Sequence, residues 1–162
     1  MGIALKKTDE RQKVNIIELW RYLSDYRGYF DGLVKDCISC IRSGECYDDL
    51  WAEIIIVFRN EYMGSGDADV EQKIFEIYKS ALSVGHNLKA YEAMDLIRIP
   101  SLKFSAYMLY AGRLKKYCGE EYAEVYYNKA RKIVNDDEAV KSHLIKTKNI
   151  TNYLGGHNEQ KG

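Results

Sequence analysis

The sequence FSAYMLYAGRLKKYCGEEYAEVYYNKARKIVN, residues 104–135, carries the clearest helical pattern in the chain. Its apolar positions recur every three or four residues on both sides of Gly119, which interrupts the pattern. The stretch therefore predicts two helices joined by a tight turn, an αα-hairpin. Small residues on both predicted helices would let the two backbones approach while tyrosine and leucine fill the remaining space. They are Ala106, Ala111, Gly112, Ala123 and Ala130.

The same stretch resembles one tetratricopeptide-type repeat and covers about one fifth of the chain. The resemblance rests on Leu109, Gly119, Tyr122, Ala123, Tyr126, Tyr127, Lys129 and Ala130. A weaker echo lies upstream, where Tyr78 and Ala81 come 49 residues before a similar pair, a longer interval than the roughly 34 residues of a regular repeat. The resemblance implies stacked helical hairpins. The alternative is an ordinary helical bundle whose helices share tyrosine and alanine.

The rest of the chain is also predicted to be helical. Among its 162 residues there is a single proline, so long helices are possible almost everywhere, and turns of the β-hairpin type are nearly absent. We expect an all-α fold of seven or eight helices in consecutive antiparallel hairpins, either a helical bundle or a short α-solenoid. Residues 1–156 are the predicted single domain, and residues 157–162 are a predicted disordered tail. The apolar pattern of the third predicted helix places Trp51, Ile55 and Phe58 in the core.

Glycines and capping residues predict where helices begin and end. Gly28 and Gly32 predict a bend or an end in the helical segment that contains them. Asp69, Ser101 and Asn135 are the predicted caps of three later helices, because a short polar side chain satisfies backbone N–H groups in the first helical turn.

Charge is unevenly distributed along the chain, although the formal net charge is zero. The segment 45–76 holds nine acidic and two basic residues, a net charge of −7. The segment 98–132 holds eight basic and three acidic residues, a net charge of +5. This asymmetry predicts a bipolar surface, and the alternative is two solvated helix faces.

The acidic segment supplies the predicted partner-binding residues. They are the acids Asp48, Asp49, Glu53, Asp67, Asp69 and Glu71, with Tyr47 and Tyr62 as aromatic anchors. The basic segment supplies an alternative surface, which is Lys115, Lys116, Lys129, Arg131 and Lys132. Those cations and nearby tyrosines could contact RNA through charge and base stacking.

No motif predicts catalysis, a metal site or a cofactor. Cys37 and Cys40, with Cys46 nearby, form the only cluster with ligand-like spacing, and a structural zinc site usually needs a second such pair. Cysteines in a helical apolar pattern are more often buried, reduced thiols. The sequence contains no GxSxG, HExxH or phosphate-loop motif, so we expect a protein that is not an enzyme.

These observations predict a non-enzymatic protein-binding module in the cytoplasm. We expect no secretory signal, because the stretch MGIALKKTDERQK lacks an apolar core, and no apolar run approaches about 20 residues. The leading hypothesis is a bacterial immunity protein or antitoxin that covers the basic active site of a toxin, such as a nuclease, with its acidic, tyrosine-rich surface. The alternative is an RNA-binding or regulatory adaptor that uses residues 98–132. A dedicated nucleic-acid binder would normally have a more basic chain, so nucleic acid is the less favoured partner.

Overall fold

The computed structural model describes residues 27–147. Helices cover 85% of these residues and no strand occurs among them, which confirms the all-α prediction. Seven α-helices are present in this range: α1, 27–43; α2, Asp48–Val57; α3, Ala68–Ser83; α4, Asn87–Leu96; α5, Pro100–Tyr117; α6, Glu120–Asp136; and α7, Glu138–Thr147. A π-helical turn, Phe58–Tyr62, directly follows α2.

The chain divides into two compact units, one ending at Phe58 and the other beginning at Arg59. Helices α1 and α2 belong to the first unit, and α3 to α7 belong to the second. The single domain expected over residues 1–156 stays a prediction. The expected tail, 157–162, lies outside the described residues. Within 27–147, no helix is long and apolar enough to cross a membrane.

The described part of the first unit buries apolar residues of α1 and α2 and of the positions beside them. Its buried members are Phe30, Val34, Cys37, Ile41, Tyr47, Trp51, Ile54, Val57 and Phe58. The expected burial of Trp51 and Phe58 is confirmed, but Ile55 is only half-buried and Ile54 is buried in its place. Both isoleucines lie three or four residues from Trp51 and Phe58, but Ile54 is also three residues before the buried Val57, so it lies nearer the centre of the buried face.

Helix α1 continues through both glycines that were expected to bend or end it. Gly28 and Gly32 lie inside the helix, at exposed positions. Neither has a positive φ, and a Cβ atom on either would meet no neighbouring atom within 4 Å. A glycine at such a site weakens a helix but does not end it.

Two helix starts in the second unit differ from the predicted ones. Asp67, rather than Asp69, caps α3, and its carboxylate accepts a hydrogen bond from the backbone N–H of Val70 at 3.2 Å. Helix α5 begins at Pro100, so Ser101 lies inside it rather than at its cap. Proline suits the first helical position because its φ is already helical and its missing N–H would have no partner there.

The break at Gly119 is confirmed, and the next helix boundary is shifted. Gly119 has a φ of +126° and separates α5 from α6, a conformation that only glycine adopts without strain. Asn135 was expected to cap the last helix. It is instead part of α6, and Asp137 caps α7 by accepting from the N–H of Val140 at 2.9 Å.

Helices α5 and α6 form the most extensively packed pair in the second unit, and α3 packs on both α4 and α5. Ala106 and Ala111 on α5, and Ala123 and Ala130 on α6, are fully buried. Their lack of side-chain bulk allows the close approach expected from the sequence. Gly112, expected in the same role, is exposed.

Tyr78 connects α3 to α5 through a buried hydrogen bond. Its side chain is fully buried, and its hydroxyl donates to the carbonyl oxygen of Ala106. Burial raises the pKa of Tyr78 above its ordinary value, because a phenolate would lose its hydration there. The hydroxyl is therefore a neutral donor that fixes α3 against the α5–α6 pair.

Candidate functional site

The acidic candidates are divided between the two units. Tyr47, Asp48, Asp49 and Glu53 belong to the first unit, whereas Tyr62, Asp67, Asp69 and Glu71 belong to the second. Asp48 and Asp49 are exposed in the first turn of α2. Tyr62 is half-buried.

Two of the predicted partner-binding residues need correction because they are buried. Tyr47 is 3% exposed and Glu71 is 1% exposed. Tyr47 immediately precedes α2 and contributes its ring to the core of the first unit. Neither side chain is available at the surface to meet a partner.

Glu71 holds the connection between α4 and α5. Its Oε1 atom accepts hydrogen bonds from the backbone N–H groups of Arg98 at 2.7 Å and of Ile99 at 2.8 Å. These N–H groups lie between two helices, where no helical carbonyl accepts from them. Oε2 is buried without a hydrogen-bond partner among the residues that the structure describes. Sequence spacing cannot reveal this role, because Glu71 and Arg98 are 27 residues apart.

Most of the other acidic candidates have local partners. Glu53 accepts from the Tyr29 hydroxyl at 3.2 Å, and Asp69 pairs with Lys73 at 2.8 Å. Asp67 is the cap of α3. These contacts engage three of the carboxylates within the protein, so a partner would have to compete with them.

The basic candidates fall into two groups. Lys115, Lys116 and Arg131 lie outside the cavity described below. Lys115 pairs with Glu120 at 3.3 Å, and Arg131 pairs with Glu124 at 2.9 Å. Ion pairs of this exposed kind contribute little to stability.

Lys129 and Lys132 instead line a cavity of about 430 Å³ in the second unit, which we call the basic cavity. Its lining consists of Arg98, Pro100, Lys103, Tyr107, Lys129, Lys132, Ile133, Asp136 and Asp137. Lys103 and Tyr107 are four residues apart on α5, and Lys129 and Lys132 are three apart on α6. Residues at these spacings share a helix face, so each helix contributes one pair to the same cavity.

Lysines from both helices lie near the ring of Tyr107. The Nζ of Lys103 lies 5.3 Å from its ring centroid, and the Nζ of Lys129 lies 5.8 Å from it. Lys129 is also 5.0 Å from the ring of Tyr126. All three distances fall within the cation–π range. These contacts hold the ammonium groups beside aromatic rings without neutralising their charge.

A row of tyrosines extends from the cavity across three helices. Ring centroids are 6.0 Å apart for Tyr107 and Tyr126, 4.8 Å for Tyr126 and Tyr110, and 6.1 Å for Tyr110 and Tyr91. Tilted and edge-on arrangements at such distances are favourable for aromatic pairs. The row fixes the position of Tyr107 relative to α6.

Positive charge exceeds negative charge around the basic cavity, with four cations against two carboxylates. Lys132 is 3.4 Å from Asp136, and Asp137 serves as the cap of α7. Arg98, Lys103 and Lys129 take part in no salt bridge among residues 27–147. The cavity is therefore suited to an anion.

Lys103 shows the electrostatic consequence of this arrangement. Burial lowers the pKa of Lys103, and the positive charges of Arg98 and Lys129 lower it further, against the opposing effect of Asp95. Its Nζ donates to the carbonyl oxygen of Met94 at 2.7 Å. A bound anion would offset the repulsion among these cations.

Among the cationic and aromatic residues of the basic cavity, sequence reasoning did not single out Arg98, Lys103 and Tyr107. The i, i+4 spacing of Lys103 and Tyr107 is a signal that could have linked them on one face. Arg98 has no such signal. Its position depends on the hydrogen bonds that Glu71 accepts at the α4–α5 connection, and these join residues far apart in the sequence.

An apolar cavity of about 550 Å³ adjoins the basic one. The two share Pro100 and Asp137. Phe104 and Val140 line the apolar cavity and belong to a buried cluster with Ala130 and Val134. Within the described range, no group of three or more histidine, cysteine or acidic side chains is placed to hold a metal ion.

No family model matches the chain, and neither a curated protein nor a solved structure shows significant similarity to it.

Proposed function

We propose that this chain is a non-enzymatic binding protein, built of consecutive antiparallel helical hairpins, that binds single-stranded RNA through its basic cavity. The presence of Arg98, Lys103, Lys129 and Lys132 together with Tyr107 in the lining of one cavity carries the proposal. Proteins that bind single strands combine cations that contact phosphates with aromatic side chains on which bases stack. The zero net charge of the chain is compatible with such a surface, because attraction depends on where the charge is concentrated.

Charge reversal at the cavity tests this proposal. We expect the double variant Lys129→Glu, Lys132→Glu to lose at least about tenfold in affinity for a single-stranded RNA at low salt. The dependence of log K on log salt should also become shallower by at least about 0.7, since each neutralised phosphate of a single strand contributes about 0.7. Fluorescence anisotropy at several salt concentrations measures both quantities, and circular dichroism checks that the variant is folded.

The matched control is Lys115→Glu, Lys116→Glu. It makes the same change in net charge and alters the same basic segment, but neither side chain lines the cavity. We expect this control to retain most of the affinity and the salt dependence. Equal losses in the two variants would show that only overall charge matters, and unchanged binding in both would exclude the cavity.

The second candidate is the immunity-protein function expected from the acidic segment. The exposed pair Asp48 and Asp49 at the start of α2 supports it, since exposed acids accelerate association with a basic protein. The reversal Asp48→Lys, Asp49→Lys should then slow association with a basic toxin encoded beside this chain and weaken its salt dependence. Surface plasmon resonance with that toxin domain measures the rates. Identical association rates for the reversed and the original protein would exclude this candidate.

A further inference from the structure

We infer that the basic cavity binds a terminal phosphate, that is a phosphomonoester, rather than the phosphodiester backbone of a continuous strand. This inference rests on the proposed function and specifies which part of the RNA the cavity recognises.

The size of the basic cavity is compatible with one terminal nucleotide. Its volume of about 430 Å³ lies within the range of about 300–1,000 Å³ that is usual for small-ligand sites. A site for a passing strand would instead be a groove that follows several nucleotides.

The charges lining the cavity favour a doubly charged group. A phosphomonoester carries about −1.5 to −2 charges at pH 7, whereas each phosphodiester carries one. Arg98, Lys103 and Lys129, the cations without a salt bridge among the described residues, would surround the more highly charged group with donors from two helices and one connection. Charge-assisted hydrogen bonds from such donors are stronger than those between neutral groups.

Two carboxylates in the lining disfavour a continuing backbone. Asp136 and Asp137 are consecutive residues at the end of α6, and both line the cavity. They would repel further phosphates of a strand that passed beside them. A single terminal phosphate held beside Arg98, Lys103 and Lys129 would bring no second phosphate towards these carboxylates.

Isothermal titration calorimetry with unlabelled oligonucleotides tests the inference. The probes are one RNA sequence with a 5′-phosphate, a 3′-phosphate or hydroxyls at both ends, together with a nucleoside 5′-monophosphate and inorganic phosphate. We expect one of the end-phosphorylated RNAs to bind at least about tenfold more tightly than the hydroxyl form. The variant Arg98→Gln, Lys129→Gln should lose this preference, and the control Lys115→Gln, Lys116→Gln should keep it.

The possible outcomes separate the inference from the proposed function. Equal affinity for phosphorylated and hydroxyl RNA overturns the inference and leaves RNA binding in place. Binding of the nucleoside monophosphate without binding of any RNA supports the phosphomonoester site and overturns RNA as the ligand. Absence of binding by every probe overturns both. The comparison of end-phosphorylated RNA with hydroxyl RNA uses the unaltered protein, so it tests the inference even if a variant fails to fold.

Discussion

Replacement of Glu71 by alanine tests how the basic cavity is held together. Glu71 is buried on α3 and accepts the N–H groups of Arg98 and Ile99 at 2.7 and 2.8 Å. The substitution removes both hydrogen bonds and leaves two backbone donors without their acceptor. The connection that carries Arg98 into the cavity would lose its attachment to α3.

The magnitude follows from the two hydrogen bonds. Each bond to a charged acceptor contributes about 1.5–3 kcal/mol, which sets an upper range of about 3–6 kcal/mol for the pair. Arg98 is exposed and Ile99 is half-buried, so water can reach part of the freed N–H groups. Removal of a buried carboxylate also relieves its desolvation cost. We therefore expect the free energy of unfolding to fall by about 2–4 kcal/mol.

Urea unfolding followed by circular dichroism measures this change. Glu76→Ala is the matched control, because Glu76 lies on the same helix but its side chain is 44% exposed, in an i, i+3 ion pair with Lys79. The free energy of unfolding of Glu76→Ala should fall by no more than about 0.5 kcal/mol. Glu71→Gln keeps one acceptor oxygen and should fall between the original protein and the alanine variant. A loss below about 1 kcal/mol for Glu71→Ala would refute the reasoning, because the two hydrogen bonds would then contribute almost nothing.

Three further predictions concern stability. Phe58→Ala should cost about 3–5 kcal/mol in urea unfolding, because the ring is fully buried, and a loss below about 1 kcal/mol would place it outside the core. Burial raises the pKa of Tyr47 to about 12 from an ordinary value of 10.0. The folded state therefore holds this proton more tightly than the unfolded state, so the resulting stability is present below pH 10 and is lost as the pH rises towards 12. Tyr47→Phe should reduce the alkaline loss of stability by up to about 2 kcal/mol, and an unchanged pH profile between pH 9 and 12 would contradict it. Gly119→Ala should destabilise the protein by about 1–3 kcal/mol because φ is +126° there, whereas Gly112→Ala, at an exposed helical site with open space around it, should stabilise it by about 0.5–1 kcal/mol. The same direction of change for both glycines would show that backbone conformation does not decide the outcome.

The sequence was informative at Gly119 and along the α5–α6 pair. Gly119 ends a helix because its φ suits only glycine, and the pattern of small residues located the closely packed α5–α6 pair. Helix caps were less predictable because neighbouring polar residues compete for the same N–H groups. Asp67 and Asp69 both precede an apolar pattern, and only the backbone path shows that Asp67 is the cap.

The candidate site was less predictable because it depends on contacts between distant residues. The segment 98–132 was identified as basic, but its charge gave no reason to separate Lys129 and Lys132 from Lys115 and Lys116. The two pairs of lysines are distinguished by the orientation of their helices and by the α4–α5 connection. A hydrogen bond from Arg98 to Glu71, 27 residues away in the sequence, holds that connection in place. Glu71 itself was counted as a surface acid, because composition does not show whether a carboxylate is buried.

The most direct test of RNA binding through the basic cavity is an NMR titration of the isotope-labelled protein with an end-phosphorylated single-stranded RNA. Backbone amide shifts report where the ligand binds. The proposal predicts that the largest changes occur at Arg98, Lys103, Tyr107, Lys129 and Lys132. Little change is expected at Lys115 and Lys116, or at Asp48 and Asp49. Changes centred on either of those pairs, or none anywhere at saturating RNA, would contradict it.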